Sequence, residues 1–145
     1  MQDYVLGLAF NADRSKMVLI RKNRPTWQAG KLNGVGGKIE FNERAHEALV
    51  REFREECGLD TRPEQWYFVA KLMGVEFTVL VFRLESDEIL NATSTTDEQI
   101  EVSEVDLNKL VREGVPNLAW LVAACLDPNH RRCEITAHYL RAKLE

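Results

Sequence analysis

Residues 43–57, with the sequence ERAHEALVREFREEC, most restrict how this chain can fold. At about 100° of rotation per residue, a helix over this segment gathers its apolar side chains into one arc: Ala45, Ala48, Leu49 and Phe53. The carboxylates of Glu52 and Glu56 fall inside this arc, and Glu55 falls at its edge. The sequence therefore predicts a helix that ends at Gly58 and carries acidic groups on its core-facing side.

Three carboxylates on or beside an apolar helix face are unfavourable unless their charge is compensated. An ionised carboxylate in apolar surroundings costs several kcal/mol, and neighbouring carboxylates raise one another's pKa values. A hard divalent cation such as Mg²⁺ or Mn²⁺ compensates such a cluster, because these ions prefer carboxylate oxygens. The alternative is that the three glutamates are solvated surface charges, which suits an isolated glutamate better than this triad.

Glycines at positions 34, 36 and 37 precede the helix, and we expect a glycine-rich turn there. The run is not a dinucleotide-binding fingerprint, because Ile39 stands where the third glycine is required. It is not a Walker loop either, because Lys38 is followed by Ile39 and not by Ser or Thr. Backbone without side chains lets a metal approach closely, so that a carbonyl oxygen can complete its coordination. A simple tight turn accounts for the glycines equally well.

The remaining pattern predicts a mixed β-sheet with flanking helices, an α/β (α+β) fold. Strands are expected at residues 4–10 and 17–20, as an opening hairpin, and at residues 66–73 and 76–84. Short helices are expected at residues 107–112 and 117–126, and loops at residues 23–33 and 91–98. Residues 135–140 suit either a strand or a helix. We expect a single domain over residues 1–145, because no linker, repeat or low-complexity tract divides the chain.

Composition and charge exclude several classes of function. The net charge of −4 argues against a nucleic-acid-binding surface spread over the domain. No apolar run approaches the ~20 residues of a membrane helix, and the N-terminus lacks the basic residues of a signal peptide. The three cysteines form no C-x-x-C pair and suit reduced thiols. We therefore expect a cytoplasmic protein, monomeric or homodimeric, without a membrane or nucleic-acid partner.

The spacing of Gly37, Glu43 and the run REFREECGL at residues 51–59 resembles the Nudix box, G-x5-E-x7-R-E-U-x-E-E-x-G-U. Every fixed letter of the box is present. Phe53 stands where the family usually has Ile, Leu or Val, and it keeps the position bulky and apolar. The resemblance implies an α/β/α sandwich with a mixed sheet. It also implies Mg²⁺- or Mn²⁺-dependent hydrolysis of a nucleoside diphosphate linked to another group.

The same resemblance implies roles for individual residues. The catalytic residues that it implies are Glu52, Glu55, Glu56, Glu43 and Arg51. The three first-named glutamates resemble the metal-binding carboxylates, with Glu52 the preferred base for an attacking water, and the Gly36 carbonyl resembles a backbone ligand. Glu43 and Arg51 resemble the ion pair that braces the loop and the helix. Glu98 is assigned as a further acidic ligand from a distal loop, with Asp97 and Glu101 as alternatives.

The run from Gly30 to Lys38 resembles the MutT-type branch of this family. That likeness implies base contacts from Asn33 and Trp27, since an amide both donates and accepts hydrogen bonds and an indole offers a stacking face. Asn117 lies in a second segment that resembles the branch's base-reading element, but it replaces an acidic residue there, which leaves selectivity for oxidised purines open. Phosphate contacts are expected from basic residues near the glycines, which could equally be surface charges: Arg21, Lys22 and Lys38.

Three functions are consistent with these residues. The first is a pyrophosphohydrolase of (deoxy)nucleoside triphosphates that releases a nucleoside monophosphate and pyrophosphate, which the short chain and Asn33 favour. The second is a hydrolase of ADP-ribose or a dinucleotide. The third is a non-catalytic nucleotide-sensing module, which the complete set of box glutamates disfavours.

Overall fold

The computed structural model describes residues 1–136. Within them, eight strands form one mixed sheet: β1 (Gln2–Phe10), β2 (Lys16–Arg21), β3 (Leu32–Asn33), β4 (Val35–Lys38), β5 (Tyr67–Met73), β6 (Phe77–Glu85), β7 (Gln99–Glu104) and β8 (Cys133–Thr136). The same residues contain the helices α1 (Ala45–Cys57), α2 (Leu107–Glu113) and α3 (Leu118–Leu126), and short 3-10 helices at Thr26–Gln28, Pro63–Gln65 and Asp87–Asn91. The predicted α+β fold with a mixed sheet is confirmed. No helix within residues 1–136 has the length and apolar run that crossing a membrane requires.

β1 lies inside the sheet and organises the site. It runs parallel to β6 along its whole length and antiparallel to β4, where Gly36 faces Leu6 and Gly37 faces Val5. β1 and β2 are antiparallel and meet at Phe10, as an opening hairpin requires, whereas the rest of β2 pairs with β7 and β3. The glycine-containing strand β4 therefore lies directly beside β1.

The two faces of the sheet carry separate hydrophobic clusters, because alternate side chains of a strand point to opposite sides. On one face, Val5 packs in a cluster with Leu49 and Phe53 of α1. On the other face, Leu8 packs in a cluster with Leu121 of α3. The layering is that of an α/β/α sandwich, and it presses the apolar arc of α1 onto the sheet.

Three segments differ from the sequence-based expectations. The predicted loop at residues 23–33 contains a 3-10 helix at Thr26–Gln28 and ends in strand β3. The predicted glycine-rich turn is wrong, because Gly36 and Gly37 lie in strand β4. A Cβ at Gly36 would lie 2.0 Å from the Val5 carbonyl oxygen, so the glycine serves close strand pairing and not a turn. Strand β7 was not predicted, although Ile100 and Val102 alternate with polar residues as in a half-buried strand. Of the ambiguous residues 135–140, the first two end β8 and the rest lie outside the described residues.

Candidate active site at the acidic helix

Arg51 ties α1 to the end of β4. Its guanidinium donates two hydrogen bonds to the Glu43 carboxylate, at 2.7 and 2.9 Å, and a third to the Lys38 carbonyl oxygen at 2.9 Å. The hydrogen bonds from Arg51 lower the pKa of Glu43. At its other end, α1 stops at Gly58, whose left-handed backbone (φ 67°) is typical of a helix C-cap. The helix is therefore fixed relative to the glycine strand. Glu43 and Arg51, which the resemblance to the Nudix box predicts to form an ion pair, are in contact.

Glu52 is the most deeply placed acid of the helix. Its side chain is almost fully buried, with 8% of the residue exposed, and Arg51 Nη1 donates to Glu52 Oε1 at 2.9 Å. A Cβ at Gly37 would lie 2.3 Å from the same oxygen, so only glycine leaves room for this carboxylate. Burial raises the pKa of Glu52, and the hydrogen bond from Arg51 offsets only part of that effect. The fold thus keeps an acid where its charge is costly.

Glu55 and Glu56 extend the acidic face of α1 towards solvent. The Glu55 side chain is exposed and lies 3.4 Å from Arg51 Nη1, so that one guanidinium contacts both Glu52 and Glu55. Glu56 is half-buried, and its Oε2 accepts the hydroxyl of Thr96 at 3.0 Å. The predicted arc placed Glu56 deeper than Glu55, and their exposures follow that order.

The oxygen donors around Gly37 suit a hard divalent cation. Within residues 1–136, no three His, Cys, Asp or Glu side chains converge closely enough to hold a metal as they stand. The helix nevertheless offers three carboxylates on one face, and the missing Cβ of Gly37 leaves the deepest of them, Glu52, open to the backbone of β4. Carboxylate and carbonyl oxygens are the ligands that Mg²⁺ and Mn²⁺ prefer. The residues present therefore fit such an ion.

A cleft of about 430 Å³ opens beside Gly36 and Gly37. Its volume lies within the ~300–1,000 Å³ range of small-molecule sites. It contains three of the predicted substrate-binding residues, Lys22, Trp27 and Asn33, and its lining also includes the apolar residues Leu72, Phe77, Val79 and Leu121. Asn33 Oδ1 accepts the backbone N–H of Gly34 at 2.8 Å, so its amide nitrogen remains to donate. One cavity thus runs from the glycine strand beside the acidic helix to an aromatic and amide-bearing wall.

Glu98 lies in the predicted distal loop and is buried, with 4% of the residue exposed. Its carboxylate accepts from Lys22 Nζ at 3.1 Å and from the backbone N–H groups of Asn23 and Arg24. Burial alone would raise the pKa of Glu98, but these hydrogen bonds outweigh it and leave that pKa lowered. The alternative acids bind elsewhere, since Asp97 pairs with Arg24 and Glu101 with Lys109.

The other predicted substrate-binding residues lie outside the cleft lining. Arg21 donates to the Glu113 carboxylate at 3.0 Å and to the Gly30 carbonyl oxygen at 2.9 Å. Lys38 is exposed at the end of β4, and Asn117 precedes α3 with a left-handed backbone (φ 75°), beside a separate shallow hollow. Of the basic residues proposed for phosphate contacts, Lys22 is therefore the one that lines the cleft.

Sequence reasoning missed several residues that shape this site. Tyr4 and Gln28 line the cleft, and Thr96 contacts Glu56. Tyr4 was assigned to a strand without a prediction of which face it occupies, and Gln28 and Thr96 lie in segments that were expected to be loops and carry no periodic signal. Burial raises the pKa of the Cys57 thiol to about 12, and this cysteine beside Glu56 packs in the hydrophobic core.

Comparison with known proteins identifies the family to which this arrangement belongs. The chain matches the family model described as NUDIX domain over residues 2–125. A comparison with curated protein sequences gives no significant match.

Solved structures share the fold. The MutT protein from Bacillus halodurans is 16% identical with a TM-score of 0.73, and the match covers 98% of this chain and 92% of that one. The MutT protein from Methanosarcina mazei Go1 is 25% identical with a TM-score of 0.60, covering 84% and 90% of the two chains. An ADP-ribose pyrophosphatase from Streptococcus suis is 19% identical with a TM-score of 0.64, covering 92% and 98%. With the family match spanning most of its length and three of the box glutamates on α1, this chain belongs to the Nudix family of hydrolases.

Proposed function

We propose that this Nudix hydrolase is a pyrophosphohydrolase of nucleoside triphosphates, ribo- or deoxyribo-, that uses Mg²⁺ or Mn²⁺. The observation that carries the proposal is the continuity of one cleft from Trp27 and Asn33 to Gly37, which lies against the Glu52 carboxylate. A nucleoside base bound at the Trp27 and Asn33 end of the cleft would place the phosphate chain at the Gly37 end. Water then adds to a phosphorus of that chain, and the phosphoanhydride bond breaks to give a nucleoside monophosphate and pyrophosphate.

The proposed metal ligands are the carboxylates of Glu52, Glu55 and Glu56 and the carbonyl oxygen of Gly36. A bound divalent cation neutralises phosphate charge, polarises a phosphoryl oxygen and lowers the pKa of a coordinated water. This chain has a particular need for such compensation, because its net charge of −4 and its acidic helix would otherwise repel a polyanion.

The side chains of the site have complementary roles in this proposal. Glu52 is the preferred proton acceptor, since it is the most buried carboxylate of the acidic face and lies against Gly37 of the cleft lining. Lys22 lies in the cleft and supplies a cation for phosphate oxygens. The Trp27 indole gives a base a stacking face. Asn33 can donate a hydrogen bond through its amide nitrogen, which favours binding of a base that presents a carbonyl oxygen to Asn33.

The likeness to the Streptococcus suis enzyme keeps ADP-ribose as the second candidate substrate. We would incubate the protein with Mg²⁺ and a panel of nucleoside triphosphates, an oxidised deoxyguanosine triphosphate, ADP-ribose and dinucleotides, and resolve the products. Pyrophosphate released from a triphosphate would support the proposal. Preferred release of AMP and ribose phosphate from ADP-ribose would replace it with the second candidate.

A matched pair of variants ties any activity to the acidic helix. Glu56→Gln should abolish turnover, whereas Glu64→Gln should keep it, because Glu64 is exposed, pairs with Arg62 and lines neither the cleft nor the acidic face. If the protein bound nucleotides without turning any of them over, it would be a non-catalytic module and the proposed function would be wrong.

A further inference from the structure

The segment at residues 93–98, here called the strap, joins the acidic helix to the opposite wall of the cleft. It begins on the last turn of α1, where Thr93 N–H donates to the Cys57 carbonyl oxygen at 3.0 Å and Thr95 N–H to that of Glu56 at 3.4 Å. The Thr95 hydroxyl also donates to the Glu55 carbonyl oxygen. The first half of the strap is therefore anchored on the turn that carries two box glutamates.

Thr96 connects the two halves of the strap. Its hydroxyl donates to Glu56 Oε2 at 3.0 Å, and its Oγ1 accepts the backbone N–H of Glu98 at 3.3 Å. The hydroxyl thus orients a carboxylate proposed to bind metal and at the same time fixes the start of the Glu98 backbone.

The Glu98 side chain is fully engaged by the segment at residues 22–24. Oε1 accepts from Lys22 Nζ at 3.1 Å, and Oε2 accepts the backbone N–H groups of Asn23 and Arg24. Lys22 lines the cleft, and the segment continues into the cleft residue Pro25. A buried carboxylate with donors on both oxygens has its charge compensated without a metal ion.

We propose that Glu98 is a positioning residue, which holds the Lys22–Arg24 wall of the cleft against the strap, and that it does not bind the catalytic metal. Its neighbour Thr96 serves the other end of the strap by orienting Glu56. The strap thereby sets the distance between the wall that holds the nucleotide and the helix that holds the metal. This inference rests on the proposed function for its kinetic consequences, but its structural consequence can be measured without any activity.

The structural test uses amide hydrogen exchange of the metal-free protein, measured by NMR at single residues. In Glu98→Gln, exchange at Asn23 and Arg24 should accelerate at least about tenfold, because a hydrogen bond to a charged acceptor is weakened. Exchange at Lys22 should not change, since its N–H donates to the Lys31 carbonyl oxygen. Asp97→Asn is the matched control, because Asp97 is exposed and its carboxylate accepts from the Arg24 guanidinium. Its carbonyl oxygen accepts from the Asn23 side chain, so neither contact involves the backbone N–H groups whose exchange is measured.

The kinetic test compares three adjacent substitutions. Glu98→Gln should raise KM for the nucleotide at least about tenfold and leave the half-maximal Mg²⁺ concentration unchanged. Thr96→Val should shift the half-maximal Mg²⁺ concentration, because Glu56 loses its donor, and Asp97→Asn should shift neither quantity.

Three results would overturn the assignment of Glu98. One is a raised half-maximal Mg²⁺ concentration in Glu98→Gln with normal exchange at Asn23 and Arg24, as expected of a metal ligand. Another is unaltered exchange at both amides. A third is accelerated exchange throughout the core of β1, which would make Glu98 a support of the whole fold. Absence of turnover in the wild type would refute the proposed function and leave the exchange test intact.

Discussion

Gly37→Ala adds one methyl group at the contact between the glycine strand and the acidic helix. The new Cβ would lie 2.3 Å from Glu52 Oε1 and 2.7 Å from its Cδ. Ordinary van der Waals contact begins near 3.4 Å, so the carboxylate must retreat by about 1 Å. Backbone strain is not involved, because the left-handed glycines among the described residues are Gly30 and Gly58.

That retreat acts on the same oxygen that binds Arg51. It therefore disturbs the hydrogen bond from Arg51 Nη1 to Glu52 Oε1, whose length is 2.9 Å. Misplacement of a catalytic group by about 1 Å costs about a hundredfold in rate, which we expect as the loss in kcat. Overpacking should also lower the free energy of unfolding by about 1–3 kcal/mol.

The assay is steady-state pyrophosphate release with Mg²⁺, together with urea unfolding of the metal-free protein. Gly30→Ala is a suitable control, because no described atom lies within 4 Å of its Cβ, while its φ of +81° makes alanine strained. It should lower the free energy of unfolding by about 1–2 kcal/mol and keep the wild-type kcat. This pair separates lost stability from lost positioning.

A second-site substitution tests the contact itself. Glu52→Asp is one methylene shorter and leaves room for the alanine Cβ, so the double variant Gly37→Ala with Glu52→Asp should lose less than the two single losses combined. Wild-type kcat in Gly37→Ala would refute the reasoning, and so would strictly additive losses in the double variant.

Three further predictions follow from the same geometry. Glu56→Gln should lower kcat at least about a hundredfold while thermal unfolding stays that of a folded protein, because a proposed metal ligand is lost; unchanged turnover would remove Glu56 from the metal site. Arg51→Met should lower the free energy of unfolding by about 3 kcal/mol in urea titrations, since Glu43 and Glu52 lose their cation; a neutral effect would show that the pair is not structural. Because burial raises the pKa of Glu52 above its ordinary value of 4.5, the metal-free wild type should lose stability relative to Glu52→Gln as the pH rises through the raised pKa. Parallel curves of unfolding free energy against pH would contradict that sign.

The acidic helix was predictable because its signal is local. The period of Ala48, Leu49 and Phe53 defines the buried face, and the structure buries those residues together with Glu52. The hydrogen-bond partner of Glu56 comes instead from the strap, whose Thr96 lies 40 residues away in the sequence. A helical wheel describes one helix and contains no information on what later packs against it.

The glycine strand shows why local propensity failed at β4. Glycine weakens a strand in isolation, so Gly34, Gly36 and Gly37 favour a turn. Close approach decides otherwise, because Gly36 lies against the Val5 carbonyl oxygen and Gly37 against the Glu52 carboxylate. Both contacts are long-range and become visible only in the folded chain.

In the polar loops, too, long-range contacts were not predictable from the local sequence. Asn33 and Trp27 could be assigned to the site only through the resemblance to a family, and both line the cleft. The same resemblance suggested that Glu98 binds metal, and residue type suggested that Arg21 binds phosphate. The tertiary partners, Lys22 for Glu98 and Glu113 of α2 for Arg21, are brought together by the folded chain and have no signature in the sequence.

Calorimetric titration of Mn²⁺ into the protein, with a non-hydrolysable nucleoside triphosphate analogue present, tests most directly whether the acidic face of α1 binds a cation. After subtraction of the heat of Mn²⁺ binding to the analogue alone, the wild type and Glu64→Gln should both give a saturable binding heat, and the double variant Glu52→Gln with Glu56→Gln should give none while remaining folded. A wild-type protein that gives no heat would contradict this account, as would a double variant that binds as the wild type does.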